Sequence, residues 1–494
     1  MKKLRILALV AIVAMMITNM VAAQEISNLP GGGWWSGEQV QNVGDAEATI
    51  EITAYDKDTT ETYTASEAVA AGGAYTFSPF AGLTDMPDGF QGSAVVSADQ
   101  PIKAIVNVTN LMVGDVGVTG GKAAAQYQGV DGSAVADTLY FPLVKGDYYG
   151  STTTFYVQNA GDAAATFTGS FAMNDGNTYS FTSPSIEPNR IAIFSVFDAD
   201  DYDNGDDQAA DVRLGALTVT SAQPMAGVVM EHSTTDATAV ALFGTRGFTA
   251  NDFDTTAYAP VIKNEFYGQF TGLQVQNVSG GDIDITVTYI VAQGPNAGET
   301  ITQEATGVAD GESHTFVQLD AVDGGVGTYL DAGDLAGATV TATGDFVAIV
   351  NEQNSAASVG ITYSAMPDGS ASQMVSVPLF KDYFYGSSSG LQIQNVGSAE
   401  ASATATFACT TEGGATSTSV SDPFSIAAGE TFLFYHPSEA GQAGADLFGS
   451  FPSESNCSVT IEADQNIVAI VNEQGVEANA GNLDNNNYEG FNLQ

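Results

Sequence analysis

Histidine is the side chain most often used to move protons near neutral pH. This chain has three, His232, His314 and His436, each in an unlike local sequence. No Gly-x-Ser-x-Gly nucleophile motif and no His-Glu-x-x-His pair is present. Paired carboxylates are frequent because the chain holds 58 Asp and Glu, so they single out no acid–base couple. Recognition and cohesion remain as the chemistry on offer, and a non-enzymatic protein is expected.

Four groups of residues are candidates for that chemistry. Cys409 and Cys457 are an even pair without Cys-x-x-Cys spacing, which in an exported chain reads as one disulfide contributing about 4 kcal/mol. Aromatic pairs recur as Trp34-Trp35, Tyr148-Tyr149, Phe266-Tyr267 and Phe384-Tyr385. On an extended segment one ring of each pair would plug the core and the other would face out to stack on a sugar; packing within or between domains is the competing reading. Lys145, Lys263 and Lys381 take up much of a scarce resource, since the chain has only 12 Lys and Arg. Each has Asp147, Glu265 or Asp382 within two residues, and an ion pair at a domain junction is expected. The segment 198–211 is dense in Asp; Asp198, Asp200, Asp201, Asp203, Asp206 and Asp207 are candidate Ca2+ ligands. Its spacing departs from the EF-hand pattern, and a solvated insertion is the competing reading. No other cofactor is implied.

These residues recur because the chain is a repeat. A Gln-Asn phrase returns at Gln41, Gln158, Gln276 and Gln394, spaced by 117, 118 and 118 residues. Lys-bearing openings with Pro142, Pro260 and Pro378 stand 118 apart, and the first unit opens with the shorter Asn28-Leu29-Pro30. Each unit alternates apolar and polar residues with period two, as in Leu273, Val275 and Asn277 against Gln274 and Gln276. β-branched and aromatic runs follow, broken by Gly, Asp and Ser turns. Two strands, such as 92–98 and 102–108, are expected to close each unit. Asn42, Asn159, Asn277 and Asn395 should bond backbone at the strand ends, with Asn277 inward and closed to glycosylation. The fold class is therefore all-β: four tandem immunoglobulin-like two-sheet β-sandwich domains, arranged as beads on a string. The expected boundaries are 1–23 for a secretory signal peptide, then 24–137, 138–255, 256–374 and 375–494 for the repeats.

The leader carries Lys2, Lys3 and Arg5, an apolar run and small residues to Ala23. No later stretch is apolar for long enough to span a bilayer. With a net charge of −46 the chain repels nucleic acid and anionic lipid and attracts divalent cations, while 44% hydrophobic residues argue for a folded chain.

The phrases Pro142-Leu143-Val144-Lys145, Val157-Gln158-Asn159, and Gly92-Ser93-Ala94-Val95-Val96 through Gln100-Pro101-Ile102-x-Ala104-Ile105-Val106-Asn107 resemble a tandem extracellular repeat of bacterial cell-surface proteins, of the Chloroflexota and actinobacterial type. The resemblance covers the whole chain after the leader. It implies an extracellular β-repeat protein with no assigned catalytic residue. Where that family often has Gly-Trp before its Gln-Asn strand, this chain has Tyr148-Tyr149-Gly150, Phe266-Tyr267-Gly268 and Phe384-Tyr385-Gly386, which leaves any shared ligand open. A cell-surface or matrix protein (surface layer, sheath or stalk) is expected, its partners being itself, other envelope components or polysaccharide. A glycan-binding array using the aromatic pairs is the alternative, and a carrier or inhibitor module for another secreted protein a third. The first unit's short opening should also leave a sheet edge free, to which a further subunit would add end to end.

Overall fold

The computed structural model describes residues 29, 34–109, 124–202, 213–233, 242–318, 329–354, 360–475 and 485–493. The leader, and Asp203, Asp206 and Asp207 of the acidic segment, lie outside the described residues. No helix among the described residues is long and apolar enough to cross a membrane.

The period-two pattern becomes strand almost throughout the described residues, in several sheets, and each sequence repeat folds into its own set of paired strands. In the second unit an opening strand, Ala136–Lys145, leads to the Gln-Asn strand, Ser151–Asn159. A third strand, Phe167–Met173, a partner, Thr178–Thr182, and a short strand, Ile191–Phe194, follow. Then comes one long strand, Leu214–Ser233, and a last strand, Leu242–Arg246. The first half of the long strand pairs with the opening and third strands; its second half, from Met225, pairs with the Gln-Asn and last strands. One strand therefore belongs to both sheets and turns the corner between them. Asp334–Asn354 and Ser455–Gly475 do the same in the third and fourth units. The two separate closing strands expected from the sequence are found only in the first unit, as Gly92–Ala98 and Ile102–Thr109. Opening strands begin at Ala136, Asp254 and Ser372, so each expected repeat boundary falls inside one of them.

Inward residues form one core per unit, around Val40 and Ile52, Phe155 and Phe171, Val275 and Tyr289, and Ile393 and Phe407. Asn42, Asn159, Asn277 and Asn395 are wholly buried and do one job four times. Each amide nitrogen donates to two carbonyls, as Asn395 does to Ala399 and Ile426 at 2.8 Å, and each amide oxygen accepts from the backbone two residues on. Asn277 is inaccessible, as its inward phase requires.

The beads-on-a-string arrangement is corrected. The last strands of the four units, Ala124–Gln128, Leu242–Arg246, Gly360–Ser364 and Asn485–Glu489, pack in cyclic order about a common centre, the fourth against the first. The Gln128 side chain donates to the Glu489 carbonyl at 2.9 Å, and Thr245 and Ser364 hydroxyls lie 3.3 Å apart. One residue position repeats the logic: Ile349 packs on the second unit, Ile470 on the third, and Ile105 of the first unit on the fourth. This is a head-to-tail interface that closes on itself. The expectation of a string rested on period alone, and period carries no information about the rotation between neighbours.

Candidate functional site

Between the opening and Gln-Asn strands the chain must reverse in a few residues, and it does so three times in the same way. Tyr148 and Ser151 exchange backbone hydrogen bonds of 2.9 and 3.1 Å, which leaves a two-residue loop, Tyr149-Gly150. Both loop residues have positive φ, 49° and 80°. That is the type I′ turn whose twist matches a hairpin and which favours Asn-Gly. Tyr267-Gly268 (50°, 76°) and Tyr385-Gly386 (48°, 76°) repeat it. Asp147, Glu265 and Tyr383, two residues earlier, are left-handed as well, so six of the ten described non-glycine residues with positive φ lie in these three turns.

A left-handed tyrosine is disfavoured and persists only where its surroundings fix it. The surroundings repeat too. The Lys145, Lys263 and Lys381 amides donate to Thr153, Thr271 and Ser389 hydroxyls at 3.0–3.1 Å. The three ammonium groups meet Glu231, Glu352 and Glu473 on the long strands at 2.6, 2.7 and 2.5 Å, with each carboxylate buried. This corrects the expected pairing: the partner is the same unit's long strand, not the acid two residues away, and the pair fixes the turn rather than the junction. Among the described residues, Glu231 alone of the three also reaches across, accepting from Asn351 of the third unit at 3.0 Å.

At the tips, Tyr149, Tyr267 and Tyr385 are 85%, 92% and 74% exposed, among the few large hydrophobic side chains so displayed. Tyr148, Phe266 and Phe384 are half-buried beneath them, with ring centroids 4.6–4.7 Å apart and edge-to-face. One ring of each of these three pairs is half-buried and the other exposed, and a turn rather than an extended segment produces the division. Trp34 and Trp35 do not join the set. Trp34 packs among Ala125, Met230 and Leu242 at the junction of the first two units, and Trp35 lies edge-on to Phe80 at 5.2 Å. The sequence signal was there: Trp35 is followed by Ser36, not by the glycine that the second loop position needs.

The remaining candidates scatter. Cys409 and Cys457 are bonded across directly paired strands in the fourth core. Asp198 caps a short helical turn, accepting from the Ser195 amide and hydroxyl at 2.8 and 3.2 Å; burial pushes its pKa up. Among the described residues no cluster of three or more His, Cys, Asp or Glu could hold a metal ion. His232 bonds Thr154 at 2.9 Å inside the fold. His436 stacks on Tyr383, and the nearby Ser438 hydroxyl donates to Asp382 at 2.6 Å rather than to the imidazole.

No protein-family model and no curated protein matches the chain. Among solved structures it is similar to Thermotoga maritima 1070, at 18% identity and TM-score 0.18, over 23% of this chain and 94% of that one. A tetra-tandem repeat from the extending region of a large adhesion protein aligns at 11% identity and TM-score 0.11, over 93% and 95%. The serine-rich repeat protein Srr2 from Streptococcus agalactiae aligns at 11% identity and TM-score 0.11, over 54% and 84%.

Proposed function

We propose that this chain is an exported, non-enzymatic protein of the cell surface or extracellular matrix, and that it adheres through Tyr149, Tyr267 and Tyr385. One observation carries the reading: three equivalent turns hold an exposed tyrosine in a conformation that asparagine or glycine would adopt with less strain. Strain kept at a surface, and kept three times, favours a role for the side chain over a role for the fold. A flat ring at nearly full exposure presents a face for stacking on a sugar ring, and three on one closed scaffold would act multivalently. The apolar leader and the disulfide suit an oxidising compartment outside the cell. The test is retention on washed envelope from the producing cells and on insoluble polysaccharides such as cellulose and chitin. Loss of retention when all three tyrosines become asparagine supports the reading, and unchanged retention on every surface defeats it.

A further inference from the structure

In the second, third and fourth units, the first half of the long strand is paired on both sides, by the third strand and by the opening strand. In the first unit the equivalent strand, Gly92–Ala98, pairs among the described residues only with Ala48–Asp56. No described strand covers its outer edge. The sheet there ends after three strands, where the other units continue to an opening strand. A groove of about 1820 Å³ runs along this edge. Phe90, Val96 and Tyr127 of the first unit line one side, and Tyr156 and Val228 of the second unit line the other. The equivalent space at the next junction is filled: Leu143 of the opening strand lies between the second unit and Ile349 of the third. The groove thus has the place, direction and walls of a missing β-strand.

Two substitutions confined to the first unit say what that strand would carry. Where other units bury Glu231, Glu352 or Glu473 for the lysine ending the opening strand, the first unit has Val108, so no cation is wanted there. Where they bury Phe155, Leu273 or Leu391, it has Glu38, which lines the groove. The opening-strand residue that meets Phe155 is Phe141, with ring centroids 5.1 Å apart. A strand in the vacant place would therefore set its corresponding residue over the Glu38 carboxylate. Lys103 and Arg246, which also line the groove, already face Asp131 and Asp252 at 3.9 and 2.6 Å. Glu38 has no ion pair among the described residues, and burial raises its pKa to about 7. The stretch of this chain just before Trp34, residues 24–33, contains Glu25 and no basic residue, so it supplies no counter-charge.

We infer that this groove accepts an extended segment of another protein, which adds as an edge strand to Gly92–Ala98, places apolar side chains into the sandwich and sets a lysine or arginine over Glu38. Backbone hydrogen bonds would supply affinity and the pocket at Glu38 selectivity. The inference does not depend on the tyrosine turns.

The probe is a labelled synthetic peptide with the sequence 136–145, the strand that fills this place in the second unit, beside a version carrying Phe141→Lys. Both are titrated into the protein lacking residues 1–23. The Phe141→Lys peptide is expected to bind saturably and at least tenfold more tightly than its parent, and to protect the outward amides of Gly92–Ala98 from hydrogen exchange. In a Glu38→Leu protein, whose leucine already stands at this position in two other units, the preference should reverse. Three results would overturn the inference: no saturable binding of either peptide; binding only after residues 24–33 are also removed, which would give the place to the chain's own N-terminal stretch; or equal affinity of the two peptides for both proteins.

Discussion

Exchanging Tyr149, Tyr267 and Tyr385 for asparagine separates what the fold wants from what the surface presents. A non-glycine L-residue in the left-handed region is disfavoured by about 1–2 kcal/mol, and asparagine escapes much of that because its short amide bonds locally. Against this stands the edge-to-face contact with Tyr148, Phe266 or Phe384. Such contacts contribute roughly 0.5–1.5 kcal/mol, and these belong at the low end because the outer rings are 74–92% exposed. The balance is a gain of about 0.5 kcal/mol per turn, or roughly 1.5 kcal/mol for the triple variant. Four packed units need not unfold in one step, so the direction is best read turn by turn, by hydrogen exchange at Ser151, Gln269 and Ser387 beside thermal melting. Slower exchange and an unchanged or higher melting temperature, with retention lost, is the expected pair of results. A clear fall in melting temperature with retention intact would refute the reasoning, because the rings would then be serving the fold.

Lys263→Met should destabilise by about 3–5 kcal/mol in denaturant unfolding, since it strands the buried Glu352 carboxylate. Adding Glu352→Leu should recover most of that loss, as Val108 does naturally in the first unit. Asn395→Ala removes a side chain that holds Ala399, Ile426 and Gly397 together, and should lower stability by about 2–4 kcal/mol in the same assay. Glu38 sets a pH dependence whose sign follows from its raised pKa. The folded form holds its proton more tightly than the unfolded form, so stability from this group is complete below the ordinary 4.5 and is lost as pH rises through about 7. Comparing wild type with Glu38→Gln between pH 4 and 8 should show a difference growing toward high pH, to ~3 kcal/mol at most. Small-angle scattering should give a radius of gyration near 23 Å, the value for a compact chain of this length, and not roughly twice that for four sandwiches in line.

The all-β repeat, its period and its recurring residues were legible in the sequence because short windows encode them. Strand alternation is fixed by which side chains tolerate burial, and 118-residue recurrence needs no geometry. The four asparagines, the disulfide and the lysines were all visible as positions. Their partners were not. Lys145 meets Glu231 across 86 residues: Lys145 is paired with Leu214 and Glu231 with Thr153, so the two halves of the long strand must fold over one another before the side chains meet. The tyrosine tips were half legible: glycine after Tyr149, Tyr267 and Tyr385 signals the tight turn, and its absence after Trp35 signals the exception. Which ring faces solvent, and at what strain, depends on the anchors beneath. The closed ring and the vacant strand place belong wholly to the tertiary structure. Closure is the sum of four inter-unit rotations, each set by side chains such as Ile105, Val228, Ile349 and Ile470 packing on a neighbour far away in sequence. An edge becomes a groove only when a second unit walls it.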